Sequence, residues 1–118
     1  HLKRATMELG GHAPVLVFAD SDIAEVARLA VAAKLRNAGQ VCIAPTRFLV
    51  ERRVQSDFID AMRAGMAAAI IGNGLDPATT LGPLANARRV QAVQALIADA
   101  ALAGARVEQD SASPANHG

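Results

Sequence analysis

The first half of the chain alternates between a continuous apolar run and a stretch with helical spacing. The run at 15–19 is apolar throughout, which is typical of a strand buried on both faces. A helix follows, with Asp22 as its N-cap and Glu25 completing a capping box. Its apolar positions recur every three or four residues at Ile23, Val26, Ala27, Ala30 and Ala33. Asn37 and Gly39 provide the stop.

A second strand and a second helix are predicted by the same patterns. The strand covers 46–50, and either Ser56 or Asp57 can cap the helix that follows. One face of this helix is apolar and carries Phe58, Ile59, Met62, Met66 and Ile70. Strands that alternate with helices of this length indicate an α/β fold with a parallel sheet.

The last third of the chain is predicted as a loop, a helix and a short strand. The segment 72–83 is dense in Gly, Pro, Asn, Asp and Thr and is a loop. Asn86 begins a third helix, which Gly104 ends, and 105–107 can form a short strand. The apolar positions of this helix are Val90, Val93, Leu96, Ile97 and Ala101. The first residue is His1 and the segment 112–118 reads as an interrupted loop, so both ends are expected to be cut from a longer chain.

Composition narrows the class of protein. Hydrophobic residues make up 52% of the chain, but it has no Trp, no Tyr and only three Phe, so small side chains must allow helices to approach the sheet closely. The net charge is +1 and no Lys/Arg run exists, which argues against nucleic acid as a partner. No apolar stretch has the length of a membrane span, so no membrane partner is expected. The single cysteine cannot form an internal disulfide, which favours a reducing, cytoplasmic compartment.

Two residues could carry chemistry. Cys42 follows Gly39 and Gln40 in a turn before a strand, where a thiol can face a cleft at the rim of a sheet; the alternative is a small buried hydrophobe. Glu8 precedes Gly10 and Gly11, which allow close approach of a ligand, and a carboxylate there can act as a general base; the alternative is a solvated glutamate. The three histidines are scattered and no metal site is predicted.

Taken together, the segments 8–11 and 39–42 resemble the paired signatures of the aldehyde dehydrogenase superfamily. Their separation of 34 residues (42 − 8) fits that family, and the resemblance continues through Pro14, Arg47 and the segment 81–84. It covers essentially the whole chain. One departure is His12, where the family usually has lysine.

The resemblance implies a mechanism. Cys42 would attack the aldehyde carbon, hydride would leave to NAD or NADP, and Glu8 would activate the water that hydrolyses the resulting thioester. The Cys42 backbone N–H would form half of the oxyanion hole, and Leu9 and Gly10 would lie near the nicotinamide. Residues 1–118 would then be part of a catalytic domain, with the cofactor-binding domain absent and the isolated stretch inactive. The family also implies a homodimer or homotetramer.

Arg36 is the one indication of substrate. It lies six residues before Cys42 (42 − 36), as in the succinate-semialdehyde dehydrogenase branch, where an arginine holds the substrate carboxylate. The alternative is a solvated arginine at a helix end. Three other functions stay open: a dehydrogenase of simple uncharged aldehydes, an acylating dehydrogenase that uses coenzyme A, and an inactive structural or binding protein of the same fold.

Overall fold

The computed structural model describes residues 2–108, and their element order follows the predicted one closely. The elements are β1 (Ala13–Val17), α1 (Ile23–Leu35), β2 (Pro45–Val50), α2 (Gln55–Ala67) and α3 (Ala87–Leu102). Two short 3₁₀ turns, Arg36–Gly39 and Arg52–Val54, connect α1 to β2 and β2 to α2. The predicted loop at 112–118 and His117 lie outside the described residues.

The two strands pair in parallel, so β1, α1 and β2 form a β–α–β unit. Val15 pairs with Phe48 and Val17 with Val50. Ala13 pairs with Pro45, and the register shifts between Ala13 and the next residue of β1. This confirms the α/β class with a parallel sheet. A separate parallel bridge joins Ile71 to Leu81 and closes the base of the loop predicted at 72–83.

Helix starts were predicted correctly for α1 and α3 and wrongly for α2. The Asp22 side chain accepts from the Glu25 N–H at 3.1 Å, and the Asn86 side chain accepts from the Arg89 N–H at 3.0 Å. The Glu25 carboxylate binds Arg28 instead of returning to the Asp22 N–H, so the capping box is half formed.

The start of α2 differs because the preceding 3₁₀ turn runs directly into the helix. The helix begins at Gln55 with no side-chain cap. Ser56 and Asp57, the predicted caps, therefore lie inside its first turn.

The predicted strand at 105–107 is absent from the described structure. Gly104 ends α3 as expected, with φ of 91°. The Ala105 N–H then donates to the Ala100 carbonyl at 2.9 Å, so this backbone closes the helix end and is not available for sheet pairing.

The core is small and is built where α1 and α2 cover one face of the sheet. Its buried members are Val17, Ala27, Ala30 and Phe58. The Phe58 ring meets Phe48 of β2 with centroids 5.6 Å apart. Alanine at two of these positions allows α1 to approach the strands closely, as the composition predicted.

Gly65 allows an equally close approach between the two helices. A Cβ at this position would lie 2.9 Å from a methyl carbon of Val31 in α1, which is shorter than any normal contact. A glycine inside a helix costs roughly 1 kcal/mol in helix propensity. The contact between α1 and α2 explains why this position has no side chain.

The opposite face of the sheet is uncovered by the described residues. Leu16 and Leu49 pair with each other in register and are 61% and 55% exposed. The expectation that both faces of the strands are buried was therefore wrong for residues 2–108, because α1 and α2 lie on the same side. Helix α3 likewise has no buried residue.

The carboxylate of Glu51 joins the ends of the two strands. It accepts from the Ala19 N–H at 2.8 Å and from Arg53 at 2.7 Å. The Glu51 N–H also donates to the Val17 carbonyl at 2.9 Å, which continues the pairing beyond β2. The hydrogen bond from the Ala19 N–H is the main cause that lowers the pKa of Glu51, and the hydrogen bond from Arg53 lowers it further.

We expect Glu51→Gln to remove part of the acid sensitivity of this protein. A carboxylate with a lowered pKa in the folded state stabilises it above the pKa of the unfolded chain, and this contribution disappears as pH falls through the folded pKa. The thermal unfolding midpoint of the wild type should thus fall more steeply than that of Glu51→Gln between pH 5 and pH 3, the range around the ordinary glutamate pKa. Parallel pH profiles for the two proteins would contradict this role. The pKa of Glu25 is also lowered, by its hydrogen bond with Arg28, so Glu25→Gln serves as a comparison in which the ion pair lies within one helix and joins no second segment.

Candidate active site

The turn between α1 and β2 has an unusual backbone. Asn37, Ala38 and Gly39 have φ of 50°, 55° and 76°, so three successive residues lie in the left-handed region. Gly39 has no Cβ to clash there, and a Cβ would lie only 3.3 Å from the Lys34 carbonyl oxygen. For Ala38 the conformation costs roughly 1–2 kcal/mol. The stop predicted at Asn37 and Gly39 is confirmed, but the strain at Ala38 has no signal in the sequence.

Gln40 closes this turn through its backbone and its side chain. Its N–H donates to the Asn37 carbonyl at 3.0 Å, and its Nε2 donates to the same oxygen at 3.2 Å. In return, the Asn37 Nδ2 donates to the Gln40 carbonyl at 3.2 Å. We call this three-bond arrangement the Asn37–Gln40 clasp.

Cys42 lies two residues beyond the clasp, in a second turn that leads into β2. The Ala44 N–H donates to the Val41 carbonyl at 3.0 Å, and Ala44 is buried. Cys42 itself is exposed, so the alternative of a buried, inert cysteine is wrong for the described structure. Within residues 2–108, neither the thiol nor the backbone N–H of Cys42 makes a hydrogen bond to protein, which leaves both available to a ligand.

The segment that contains Glu8 leads into β1 at the sheet edge where the segment that contains Cys42 leads into β2. It precedes β1 by five residues (13 − 8), and Cys42 precedes β2 by three (45 − 42). Because the two strands are adjacent and parallel, their preceding segments meet at the amino-terminal edge. The Glu8 carboxylate is exposed, and no hydrogen bond joins it to Cys42 among the described residues.

A side-chain bond fastens the two segments next to this edge. His12 Nδ1 lies 2.9 Å from Thr46 Oγ1, one residue before β1 and one residue into β2. His12 is the position where the sequence departs from the resembled family. Its imidazole therefore makes a local contact that holds the segment after Glu8 against the strand after Cys42.

Leu9 and Gly10 lie in the same extended segment and are open to the surroundings. Leu9 is 72% exposed, and nothing lies within 4 Å of a Cβ placed on Gly10. The segment thus offers an exposed apolar side chain followed by unobstructed backbone. Both features suit a flat ring lying against the chain.

Arg36 terminates α1 and introduces the left-handed turn. Its φ and ψ of −51° and 125° leave the helical region, and its side chain is exposed. No hydrogen bond or ion pair occupies the guanidinium among residues 2–108. The described structure does not bring Arg36 into hydrogen-bond contact with Cys42 or Glu8.

Gln40 also connects the turn to a distant segment, which the sequence did not predict. Its Oε1 accepts from the Ala85 N–H at 3.2 Å, across 45 residues. The two segments border a cavity of about 420 Å³ lined by Gln40, Ala85, Asn86, Arg88, Arg89 and Ala92. Cys42 does not line this cavity. No local pattern marks a glutamine for such a contact.

Within residues 2–108, no three His, Cys, Asp or Glu side chains cluster as metal ligands would. In the same part of the chain, no helix has both the length and the apolar character that crossing a bilayer requires.

Comparison with known proteins places this geometry in a family. The family model described as the aldehyde dehydrogenase family matches residues 1–118. A 4-(hydroxymethyl)benzenesulfonate dehydrogenase of Comamonas testosteroni is 57% identical over 106 residues, covering 90% of this chain and 22% of the relative. A succinate semialdehyde dehydrogenase of Acinetobacter baylyi is 46% identical over 99 residues, covering 84% and 20%.

A solved structure shows the same fold. An indole-3-acetaldehyde dehydrogenase in complex with NAD⁺ superposes with a TM-score of 0.80 at 37% identity, over 86% of this chain and 21% of that chain. The chain thus spans about a fifth of the length of the relatives it matches. With a family model that matches every residue, a shared fold and both paired segments at one sheet edge, the chain belongs to the aldehyde dehydrogenase family, a family of NAD(P)-dependent oxidoreductases.

Proposed function

We propose that the protein to which this chain belongs oxidises an aldehyde to a carboxylic acid, with Cys42 as nucleophile and Glu8 as general base. The observation that carries the proposal is that the two paired segments enter adjacent parallel strands from the same edge of the sheet, next to the bond between His12 and Thr46. Family membership supports the reaction class. The exposed thiol supports the role of Cys42.

The chemistry follows from the properties of the two side chains. The Cys42 thiolate adds to the aldehyde carbon, which gives a thiohemiacetal. Its oxyanion is stabilised by the open N–H of Cys42. A bound nicotinamide cofactor would supply the hydride acceptor for this carbon, and loss of the hydride would leave a thioester on Cys42. The Glu8 carboxylate then takes a proton from water as the water attacks the thioester. The C–S bond breaks, the carboxylic acid leaves, Cys42 is restored as a thiolate, and the proton stays on Glu8 until solvent removes it.

The described residues fit a nicotinamide cofactor only at its reactive end. Leu9 can cover one face of the ring, and the open backbone at Gly10 allows close approach. The sequence contains no glycine fingerprint for a dinucleotide pyrophosphate. Either NAD or NADP is compatible with these residues.

For the substrate, we propose an aldehyde that carries an anionic group at its far end. Arg36 is the residue assigned to this group, because its guanidinium has no partner within residues 2–108 and can bind an acid through two parallel hydrogen bonds. The relative from Acinetobacter is named for succinate semialdehyde, which carries a carboxylate. Succinate semialdehyde or a related ω-carboxy aldehyde is accordingly the first candidate.

A sulfonated aromatic aldehyde is the second candidate. The Comamonas relative is named for a benzenesulfonate and has the higher identity of the two, 57% against 46%. Sulfonate and carboxylate share a delocalised negative charge on oxygen atoms that a guanidinium can bind. The same arginine could therefore serve either acid, and the space available beside it in the whole protein would decide between them.

The first test concerns Cys42. In the full-length enzyme, Cys42→Ala should lose aldehyde oxidation by about a thousandfold or more, because the covalent route needs the thiolate. NAD(P) binding, measured by fluorescence quenching or calorimetry, should persist. A variant that keeps substantial turnover would refute the nucleophile.

The second test separates the two roles open to Glu8. If it activates the hydrolytic water, Glu8→Gln should slow the steady state roughly a hundredfold while a rapid burst of reduced cofactor remains. If the burst is lost as well, Glu8 instead deprotonates Cys42. Rapid-mixing absorbance at 340 nm distinguishes the two results, and wild-type turnover would exclude both.

The third test concerns Arg36. Arg36→Ala should lower kcat/KM for succinate semialdehyde or 4-formylbenzenesulfonate by roughly ten- to a hundredfold, which corresponds to about 1.5–3 kcal/mol for a hydrogen bond to a charged group. Arg36→Lys should recover only part, since an ammonium lacks the planar fork. Butanal and benzaldehyde, the uncharged counterparts, should be unaffected.

The control for Arg36 is Arg28→Ala, on the same helix but already paired with Glu25. It should leave all four substrates unchanged. Equal losses for charged and uncharged aldehydes on Arg36→Ala, or none, would remove the substrate assignment and leave the aldehyde oxidation intact. A loss confined to one of the two acids would identify the natural substrate class.

A further inference from the structure

We infer that Gln40 is a positioning residue for the proposed nucleophile: it locks the left-handed turn before Cys42 and fixes that turn to the segment that begins α3. The inference rests on the proposed function, because it concerns the placement of Cys42. Gln40 is itself exposed and is assigned no contact with substrate or cofactor.

The Asn37–Gln40 clasp holds a strained turn in place. The backbone between Asn37 and Gln40 passes through three left-handed residues, one of which, Ala38, has a side chain that disfavours this conformation. Such a turn persists only when surrounding bonds over-determine it. The Asn37–Gln40 clasp supplies three hydrogen bonds across four residues, two of them to the Asn37 carbonyl.

Gln40 also connects this turn to another part of the fold. The clasp is local and cannot by itself orient the turn relative to the rest of the molecule. The Gln40 Oε1 bond to the Ala85 N–H is a hydrogen bond that does so, and it reaches the residue next to the N-cap of α3. Ala85 is followed by Asn86, whose side chain caps α3 by accepting from the Arg89 N–H, so Gln40 is bonded to a structured helix start.

Cys42 depends on attachments on both sides of it in the chain. Downstream, the Cys42 segment is held by the buried Ala44 and by the entry into β2. Upstream, its nearest attachment is Gln40, two residues away. Releasing Gln40 leaves the thiol supported on one side only, and a displacement of about 1 Å at a reacting group can cost a hundredfold in rate.

A glutamine side chain suits both bonds because its amide has a donor and an acceptor. Nε2 serves the clasp while Oε1 accepts from Ala85. Glutamate would keep the acceptor and lose the donor. Methionine has a similar length and lacks both, so the two substitutions separate the clasp from the connection to α3.

The experiment compares variants of the full-length enzyme. Gln40→Met should lower the rate of hydride transfer roughly tenfold, with KM for the aldehyde and for the cofactor within twofold of wild type and with the thermal midpoint nearly unchanged. Gln40→Glu should retain more activity than Gln40→Met, because it keeps the bond to Ala85. Gln94→Met is the matched control on α3, where the side chain makes no hydrogen bond among residues 2–108.

A second perturbation removes the other partner. Ala85→Pro removes the N–H that donates to Gln40 Oε1. It should lower hydride transfer by a similar factor, and adding Gln40→Met to it should lower the rate much less than Gln40→Met does in wild type. Additive losses would show that the bond to Ala85 does not position the turn and would overturn the inference, as would a wild-type rate for Gln40→Met.

Two other outcomes are also decisive. If Gln40→Met lowers the activity, raises KM and lowers the thermal midpoint together, Gln40 is merely structural and the inference fails. If Cys42→Ala retains wild-type turnover, the proposed function fails and takes this inference with it. A dead Cys42→Ala beside an unaffected Gln40→Met leaves the proposed function standing and rejects the positioning role alone.

Discussion

The parallel pairing of β1 and β2 is the constraint on which the candidate site depends. Its register fixes which residues stand at the amino-terminal edge of the sheet, and so it brings together two segments 34 residues apart. A register shift of one residue would turn Val15 and Val17 away from the helices and expose them. Packing of the buried Val17 and the partly buried Val15 therefore selects the same register that brings the Glu8 and Cys42 segments into the sheet from one edge. His12, bound to Thr46, strengthens the pairing where it begins.

The fold was predictable from the sequence wherever one local signal controlled the outcome. Asp22 and Asn86 cap their helices because each offers an oxygen to a free N–H three residues on, and this interaction needs no distant partner. The start of α2 was not predictable in the same way, because the 3₁₀ turn before it supplies the helical backbone and leaves Ser56 and Asp57 without a capping task. The short strand predicted after Gly104 is absent for a related reason, since the N–H of its first residue, Ala105, donates to the end of α3.

The site was predictable to a different extent. Glu8 and Cys42 stand out only as a pair, through the resemblance they carry, and the described structure adds their shared sheet edge and the exposure of the thiol. Gln40 could not be assigned in advance, because its bond to Ala85 spans 45 residues and depends on how the segment before α3 returns to the turn. The strain at Ala38 is equally invisible, since alanine is the ordinary residue for a helix that continues.

Catalysis by the two proposed reactive groups, both of them exposed, has two requirements: a defined position and a tuned environment. Position is supplied by the strand register, by the Asn37–Gln40 clasp and by the buried Ala44, all of which lie within residues 2–108. A general base and a thiolate also need a tuned environment, which proteins create by desolvation and by neighbouring charges. Leu9 is 72% exposed and the Cys42 thiol is exposed, so the described residues do not exclude water from the candidate site. The relatives are about five times as long, and their additional polypeptide is where a dry, charged surround for Cys42 and Glu8 would originate. Under the proposed function, residues 2–108 would thus position the two groups, while the reactivity of the same groups would depend on what packs over them.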